Sequence, residues 1–414
     1  MVTAAPETQT AGLRGAYWDP ERVPEGVRLS VHPLILHDGQ VVSAYLYARG
    51  GESIAAVIAH PREHLVAYYL AAELARLGVA VLMPAPRTVG NDIRLEHETA
   101  IADLAASMNF LRQAGYRHIV QVGNSGGGPL FAFYNQQALL APDKRISHTP
   151  AGKPIRLAEV DLIPADGMVF VSAHLGQGRL LMNCIDPSVA DEAKALSTDP
   201  LLDPFSPANG FSGKGAAYPP EFISRYHQAQ VARVRRLDAM ARELVAERAA
   251  ARKRATGQPS TADRRIAAHT PIFEIWRTDA DLRCWDLSID PSDRVLGSLW
   301  GANPAASNLG SVGFARICTA DSWLSTWSGL SSNASMEACA PLIEQPTLMI
   351  EYSGDASTFP ADNDALFGWI GTADKRRHSF PGDHHGRPIR PGEPSARPLA
   401  GAAIGEWLAE KFPA

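Results

Sequence analysis

Cysteine is scarce in this 414-residue chain. Its four residues, Cys184, Cys284, Cys318 and Cys339, are scattered and form no CxxC pair. That argues against a disulfide scaffold and fits a reducing compartment. Long apolar runs are missing as well. None approaches the roughly 20 residues of a membrane span. The start, MVTAAPETQTAGLRG, lacks the apolar core of a secretory signal. The expectation is a soluble, cytoplasmic protein. Charge of one sign is not in excess: 39 Lys and Arg stand against 44 Asp and Glu, for a net charge of −5. Nucleic acid would call for a concentrated basic surface, so no such partner is expected. The glycine-rich G-x-G-x-x-G loop, the P-loop Lys-Ser/Thr and internal repeats are all absent, and no cofactor is expected.

Apolar residues make up 45% of the chain, enough for a sizeable core in one large domain or two ordinary ones. Residues 1–20 read as a polar arm. The segments RLSVHPLIL and VVSAYLYAR flank the turn signal HDGQ and read as a hairpin. SIAAVIAH, VAVLMPAP, HIVQVGN and GMVFVSAH are continuous apolar runs, as strands buried on both faces would be. Helical patterns at about 63–78 and 95–115 alternate with them. The second carries Ile101, Leu104, Ala105, Met108 and Leu111 at 3/4 spacing. Strands alternating with helices indicate an α/β fold with right-handed crossovers.

After residue 185 the pattern changes. Residues 186–218 are loop-like. One long helix is then expected from Pro219–Pro220 to just before Gly257. Its apolar stripe of Ile223, Tyr226, Val234, Leu237, Ala241 and Leu244 is interrupted by Gln230. At about 1.5 Å per residue such a helix exceeds an ordinary domain diameter. It would break, project, or dock on a second subunit, and so offers a surface for a homodimer. Residues 225–254 carry nine basic and three acidic residues; a solvated helix face is the plain reading. Strand signals resume at PTLMIEYSG, followed by RRHSFPGD and a closing helix at about 396–411. The division is therefore an arm at 1–20, a first core part at 21–185, a cap or lid insertion at 186–340, and a second core part at 341–414.

The stretch QVGNSGGGPL puts Ser125 among four glycines directly after a strand. Gly123-Asn124-Ser125-Gly126-Gly127 matches G-x-S-x-G, and PLFAFYNQQALL after it is compatible with a helix. That strand–turn–helix is the context a nucleophile elbow demands. Gly128 has no evident task. A serine hydroxyl needs a base, and the base an orienting acid. Asp355 follows a strand in LMIEYSGDAS. His384 and His385 follow the next strand in SFPGDHHG. His384 is taken as the base with His385 as the alternative, and Glu351, Asp362 and Asp364 are fallback acids. A competing pattern, His60-Pro61-Arg62-Glu63-His64, fits the inverted zinc-protease signature H-x-x-E-H. Pro61 disfavours helix at His60, so no metal is expected; His60 and His64 read as pocket rim or helix cap.

With these segments the chain resembles the α/β-hydrolase superfamily, and a bacterial esterase-like branch with a large cap insertion in particular. VIAHPREH, NDIRLEHETAIADLAASMNFLRQAGYRHIVQVGNSGGG and CIDPSVADE carry the likeness. It implies a mostly parallel central sheet flanked by helices, with a mainly helical cap. It implies Ser125, Asp355 and His384 as catalytic residues. Members commonly have His-Gly after the third strand, where this chain has His60-Pro61. Carried over, the oxyanion donors are the amides of Gly126 and Arg62. His60, Trp323 and Trp327 are candidate substrate-binding residues.

The function so implied is hydrolysis of a carboxylic ester, through an acyl-enzyme, on a bulky and partly apolar small molecule. The alternative is carbon–carbon bond cleavage of a ring-fission-type diketone, since GNSGGG is similar to the elbow of such hydrolases. A non-catalytic binding protein and a zinc hydrolase are the remaining classes.

Overall fold

The computed structural model describes residues 23–413 apart from 67, 91, 258–259 and 312. The arm expected at 1–20 lies outside the described residues. The alternation read in the sequence becomes one eight-stranded sheet. Strands β1 (Arg28–Ile35) and β2 (Val41–Ala48) form the hairpin around HDGQ. Then come β3 (Ile54–Ala59), helix α1 (Tyr69–Arg76), β4 (Ala80–Pro84), α2 (His97–Gln113), β5 (His118–Asn124), α3 (Gly127–Leu139) and β6 (Gly167–Val171). Helix α1 starts later than its apolar pattern suggested, because the turn after His60 occupies the intervening residues.

From β6 the chain leaves the sheet. It makes α4 (Gln177–Cys184), α5 (Pro220–Arg254), α6 (Thr261–Ala268), β7 (Ile272–Glu274), α7 (Pro304–Asn308), β8 (Ile317–Thr319) and α8 (Ala320–Ser322). A π-helical turn at Trp323–Trp327 and α9 (Met336–Cys339) follow. The chain then rejoins the sheet with β9 (Thr347–Tyr352), α10 (Pro360–Trp369), β10 (Lys375–Phe380) and α11 (Arg397–Lys411).

The strand order is β1-β2-β4-β3-β5-β6-β9-β10; β7 and β8 pair separately. β1 and β2 are antiparallel to their neighbours and the other contacts in the large sheet are parallel. The central strands are buried on both faces, which is why they read as unbroken apolar runs. Helices α2 and α3 cover one face through Ile101, Met108, Phe131 and Phe133. Helices α1 and α11 cover the other through Leu70, Leu74, Trp407 and Leu408.

The long helix does not break. Its 35 residues span about 52 Å at 1.5 Å each. Val234, Leu237 and Ala241 pack with Leu180, Leu181, Trp323 and Trp327 of the same chain. Phe222 and Tyr226 join Tyr218, Trp285 and Phe359 in a further cluster. Gln230, which interrupted the apolar stripe, is buried and donates from Nε2 to Asn183 O (2.6 Å) and Ile185 O (3.0 Å). It thus satisfies carbonyls at the C-terminal end of α4 that the helix itself leaves unpaired.

Candidate active site

Ser125 stands one residue beyond β5 with φ of 52°, in the left-handed region that a non-glycine side chain rarely adopts. Such strain persists only where surroundings enforce it. Here the Ser125 N–H donates to Val171 O (3.0 Å), as does Asn124 Nδ2 (3.1 Å). Helix α3 begins two residues later, and the Gly128 N–H donates to Ser125 O (3.1 Å).

The surrounding glycines are set by close approach. A Cβ on Gly123 would lie 2.7 Å from Gly128 Cα, and one on Gly127 would collide with Ala59 O. Gly128, without a task in the sequence, has Ala173 Cβ 2.5 Å from where its own Cβ would be. The first turn of α3 is thereby pressed against the chain just past β6.

Asp355 and His384 come from the loops after β9 and β10, which are adjacent parallel strands. The two side chains are buried and meet, His384 Nδ1 to Asp355 Oδ2, at 2.7 Å. Asp355 is fixed further: Oδ1 accepts the N–H of Ser357 (2.7 Å) and of Thr358 (3.1 Å), and Oδ2 accepts the Thr358 hydroxyl (2.7 Å). Burial works against charge on both partners. The ion-pair attraction and the hydrogen bonds outweigh it, so the carboxyl lies below its ordinary value and the imidazole above its own. With Nδ1–H directed at Asp355, the neutral ring presents a basic Nε2.

His385 does not take this place. Its ring lies edge-on to that of His384, with centroids 5.0 Å apart, and its N–H donates to Asp383. The fallback acids are engaged elsewhere: Glu351 and Asp364 with Arg377, and Asp362 with Arg283.

His60 closes β3. Its Nδ1 accepts the backbone N–H of Arg62 (3.1 Å) and of Glu63 (3.2 Å). The Arg62 amide, expected as the second oxyanion donor, is therefore directed at an imidazole. The Arg62 guanidinium forks onto Asp92 at 2.7 and 3.0 Å, and lies 5.4 Å from the Phe314 ring centroid and 5.5 Å from that of Trp327. His60 and His64 do not share a helical face, because residues 60–66 are turn and loop; the His64 ring packs on Tyr45. No cluster of three or more metal-ligating side chains occurs among the described residues.

Trp323 and Trp327 are fully buried. Trp323 sits inside the packing of α5, its Nε1–H donating to Asp238 (2.8 Å). Its apolar area is taken up by that packing, and the Trp327 ring meets the Arg62 guanidinium.

Two further residues belong to this region. His174 and Gln177 follow β6, buried and close to the serine turn. His174 Nδ1 accepts the Gly176 N–H (3.3 Å), and burial together with its neighbours His60 and His384 holds its ring well below the ordinary histidine range. The signal that could have found them is position: the carboxyl ends of parallel strands are where ligands sit in open α/β sheets. Beside His60 lies an apolar slot lined by Ala59, Pro61, Pro84, Leu104 and Leu130, with Arg94 and Glu96 among its polar borders.

Among solved structures, the chain is similar to that of DcsB in complex with its substrate analogue: 12% identity over 94% of this chain and 100% of that one, TM-score 0.50. An esterase domain from a Rhodothermus marinus protein is 11% identical over 92% and 98%, TM-score 0.43. Est1E from Butyrivibrio proteoclasticus gives 11%, 92% and 98%, TM-score 0.42. At 12% identity the likeness to the DcsB structure is one of fold alone. No family model and no curated protein matches the sequence. With β7 and β8 set aside, the sheet order reads 1-2-4-3-5-6-7-8 with only the second strand reversed among the inner strands. Together with the strand–turn–helix at Ser125, this is the α/β-hydrolase fold.

Proposed function

We propose that the protein is a serine hydrolase that cleaves a carboxylic ester through an acyl-enzyme. The observation that carries this reading is the strained Ser125, at the head of α3, in one fold with the buried His384–Asp355 pair. Ser125 Oγ attacks the acyl carbon while His384 Nε2 takes its proton. Asp355 holds the imidazole in the required tautomer and offsets its positive charge. The Gly126 N–H, at the N-cap of α3, donates to the oxygen on which charge develops. His384 returns the proton to the leaving alcohol, and water then repeats the sequence to release the acid.

The segment from 186 to 340 acts as the cap. Residues from it, Ala315 and Phe314, meet Asp92 and Arg62 of the core. The apolar slot beside His60 suits a partly apolar substrate. Turnover of aryl esters, tested together with fluorophosphonate labelling, examines the reading. Labelling at Ser125 that is abolished in Ser125→Ala is expected. A wild type that neither labels nor turns over esters would sink it.

A further inference from the structure

Gly126 is crowded on the side where any other residue would carry its side chain. A Cβ there would lie 2.7 Å from Gln177 Nε2 and 2.9 Å from His60 Nε2. Two side-chain nitrogens thus converge on the residue that follows the nucleophile.

Both are donors. His60 Nδ1 already accepts two amides. Burial, reinforced by the nearby Arg62 cation, keeps the ring neutral. Its one proton must then sit on Nε2. Gln177 is 1% exposed, and neither its Nε2 nor its Oε1 has a hydrogen-bond partner. A buried amide left unpaired is costly, and its retention calls for a reason. The side chain is held in place from behind. Gln177 opens α4, Gly176 before it adopts φ of 142° against Ala334 O, and Gly178 after it packs on the Ser328 backbone. Meanwhile the Arg62 amide is spent on His60.

We infer that the Gln177 amide and the His60 Nε2–H, with the Gly126 N–H, bind the oxyanion, in place of a second backbone amide. This rests on the serine-hydrolase reading above. As the Ser125 Oγ–carbon bond forms, the carbonyl π pair moves onto oxygen and the serine proton passes to His384. The three donors face that oxygen. When the pair returns, the bond to the leaving alkoxide breaks and His384 protonates it. The donors are neutral and buried, the setting in which such bonds contribute most.

The test is Gln177→Met, which keeps the length of the side chain and removes the donor. Steady-state kinetics on an aryl ester and the affinity of a trifluoromethyl ketone, which the serine would convert to a hemiketal oxyanion, are measured together. The expected result is a fall in kcat of about 100-fold, the size of a lost oxyanion donor. KM is expected to stay within about threefold, and the ketone to bind more weakly by a factor similar to the loss in kcat/KM. Gln177→Glu, of the same shape but with an anion facing the oxyanion, should lose at least as much, and it serves should the methionine variant not fold.

A merely structural glutamine would move thermal stability and KM and leave ketone affinity alone. Ser125-dependent turnover with kcat and ketone affinity unchanged in Gln177→Met overturns the donor assignment by itself. A wild type without Ser125-dependent turnover overturns the assignment and the hydrolase reading together.

Discussion

At the scale of single residues, Ser125 is held at φ of 52° by bonds made to its backbone, not to its hydroxyl. Ser125→Ala should therefore leave the turn intact while kcat falls about 10,000-fold or more; circular dichroism and ester kinetics on the same sample check both halves. His384 supplies a pH prediction. Under the proposed mechanism it acts as the base and must be neutral, and Asp355 raises its pKa above the ordinary value. The acid limb of kcat/KM should accordingly lie above about 6.5. In Asp355→Asn the limb should move down and the plateau drop about 10,000-fold, since the amide neither stabilises the imidazolium nor secures the tautomer. A limb that stays put in that variant would contradict the pairing. Ser125 and Asp355 stood out as candidates because each follows an apolar run at a turn, and His384 because it follows the next strand, which is not apolar. Gln177 was not, because its neighbours QGRLLMNC form a short helix with no motif. Only the approach of the chain after β6 to Gly126 gives it meaning.

At the scale of elements, the polar interruption in the stripe of α5 is a joint rather than a flaw. Gln230→Ala should strip the buried Ile185 carbonyl and the half-buried Asn183 carbonyl of their donor and cost about 1–3 kcal/mol, read as a lower urea midpoint at unchanged slope. Arg62 joins the turn after β3 to the segment between β6 and β9. Its fork onto Asp92 and its contacts with the Phe314 and Trp327 rings occupy the side chain, while its backbone amide is held by His60. The family likeness suggested an amide facing substrate at that position. In the turn that contains Pro61 the amide is instead directed at His60 Nδ1. Element types were largely legible, since periods of 2 and 3.6 survive in any context. The start of α1 and the existence of α4 were not, because local hydrogen bonds to His60 and the packing of Gly178 on Ser328 decide them.

At the scale of the whole molecule, three buried histidines bear on acid stability. His60, His97 and His174 are each held below the ordinary range by burial, His97 to about 4. Below about pH 6.5 the unfolded chain takes up protons at these positions that the folded chain refuses. Stability therefore falls as pH falls, by up to about 1.4 kcal/mol per pH unit for each group. Glu98 opposes this. Burial raises it to about 6 even though it accepts from Ser325 and Asn333. Between about 4.5 and 6 the folded state then holds the extra proton, which favours folding as pH falls. Denaturation series from pH 4.5 to 7.5 should show a net loss toward acid. The slope should be shallower by about one proton in His97→Gln and steeper in Glu98→Gln. A slope unchanged in both would remove these groups from the account.

What the sequence determined by itself was periodicity and adjacency: which runs are strands and helices, and which side chains stand at strand ends. These depend on residues a few positions apart. What tertiary structure decided was orientation across the chain. It directs the Arg62 amide to His60, buries Trp323 in the packing of α5, and pairs His384 rather than His385 with Asp355. It also brings Gln177 and His60 to Gly126. The Arg62 turn is closed within a few residues, but the other outcomes depend on atoms dozens of residues apart, whose approach is fixed by sheet order and close packing rather than by any local pattern.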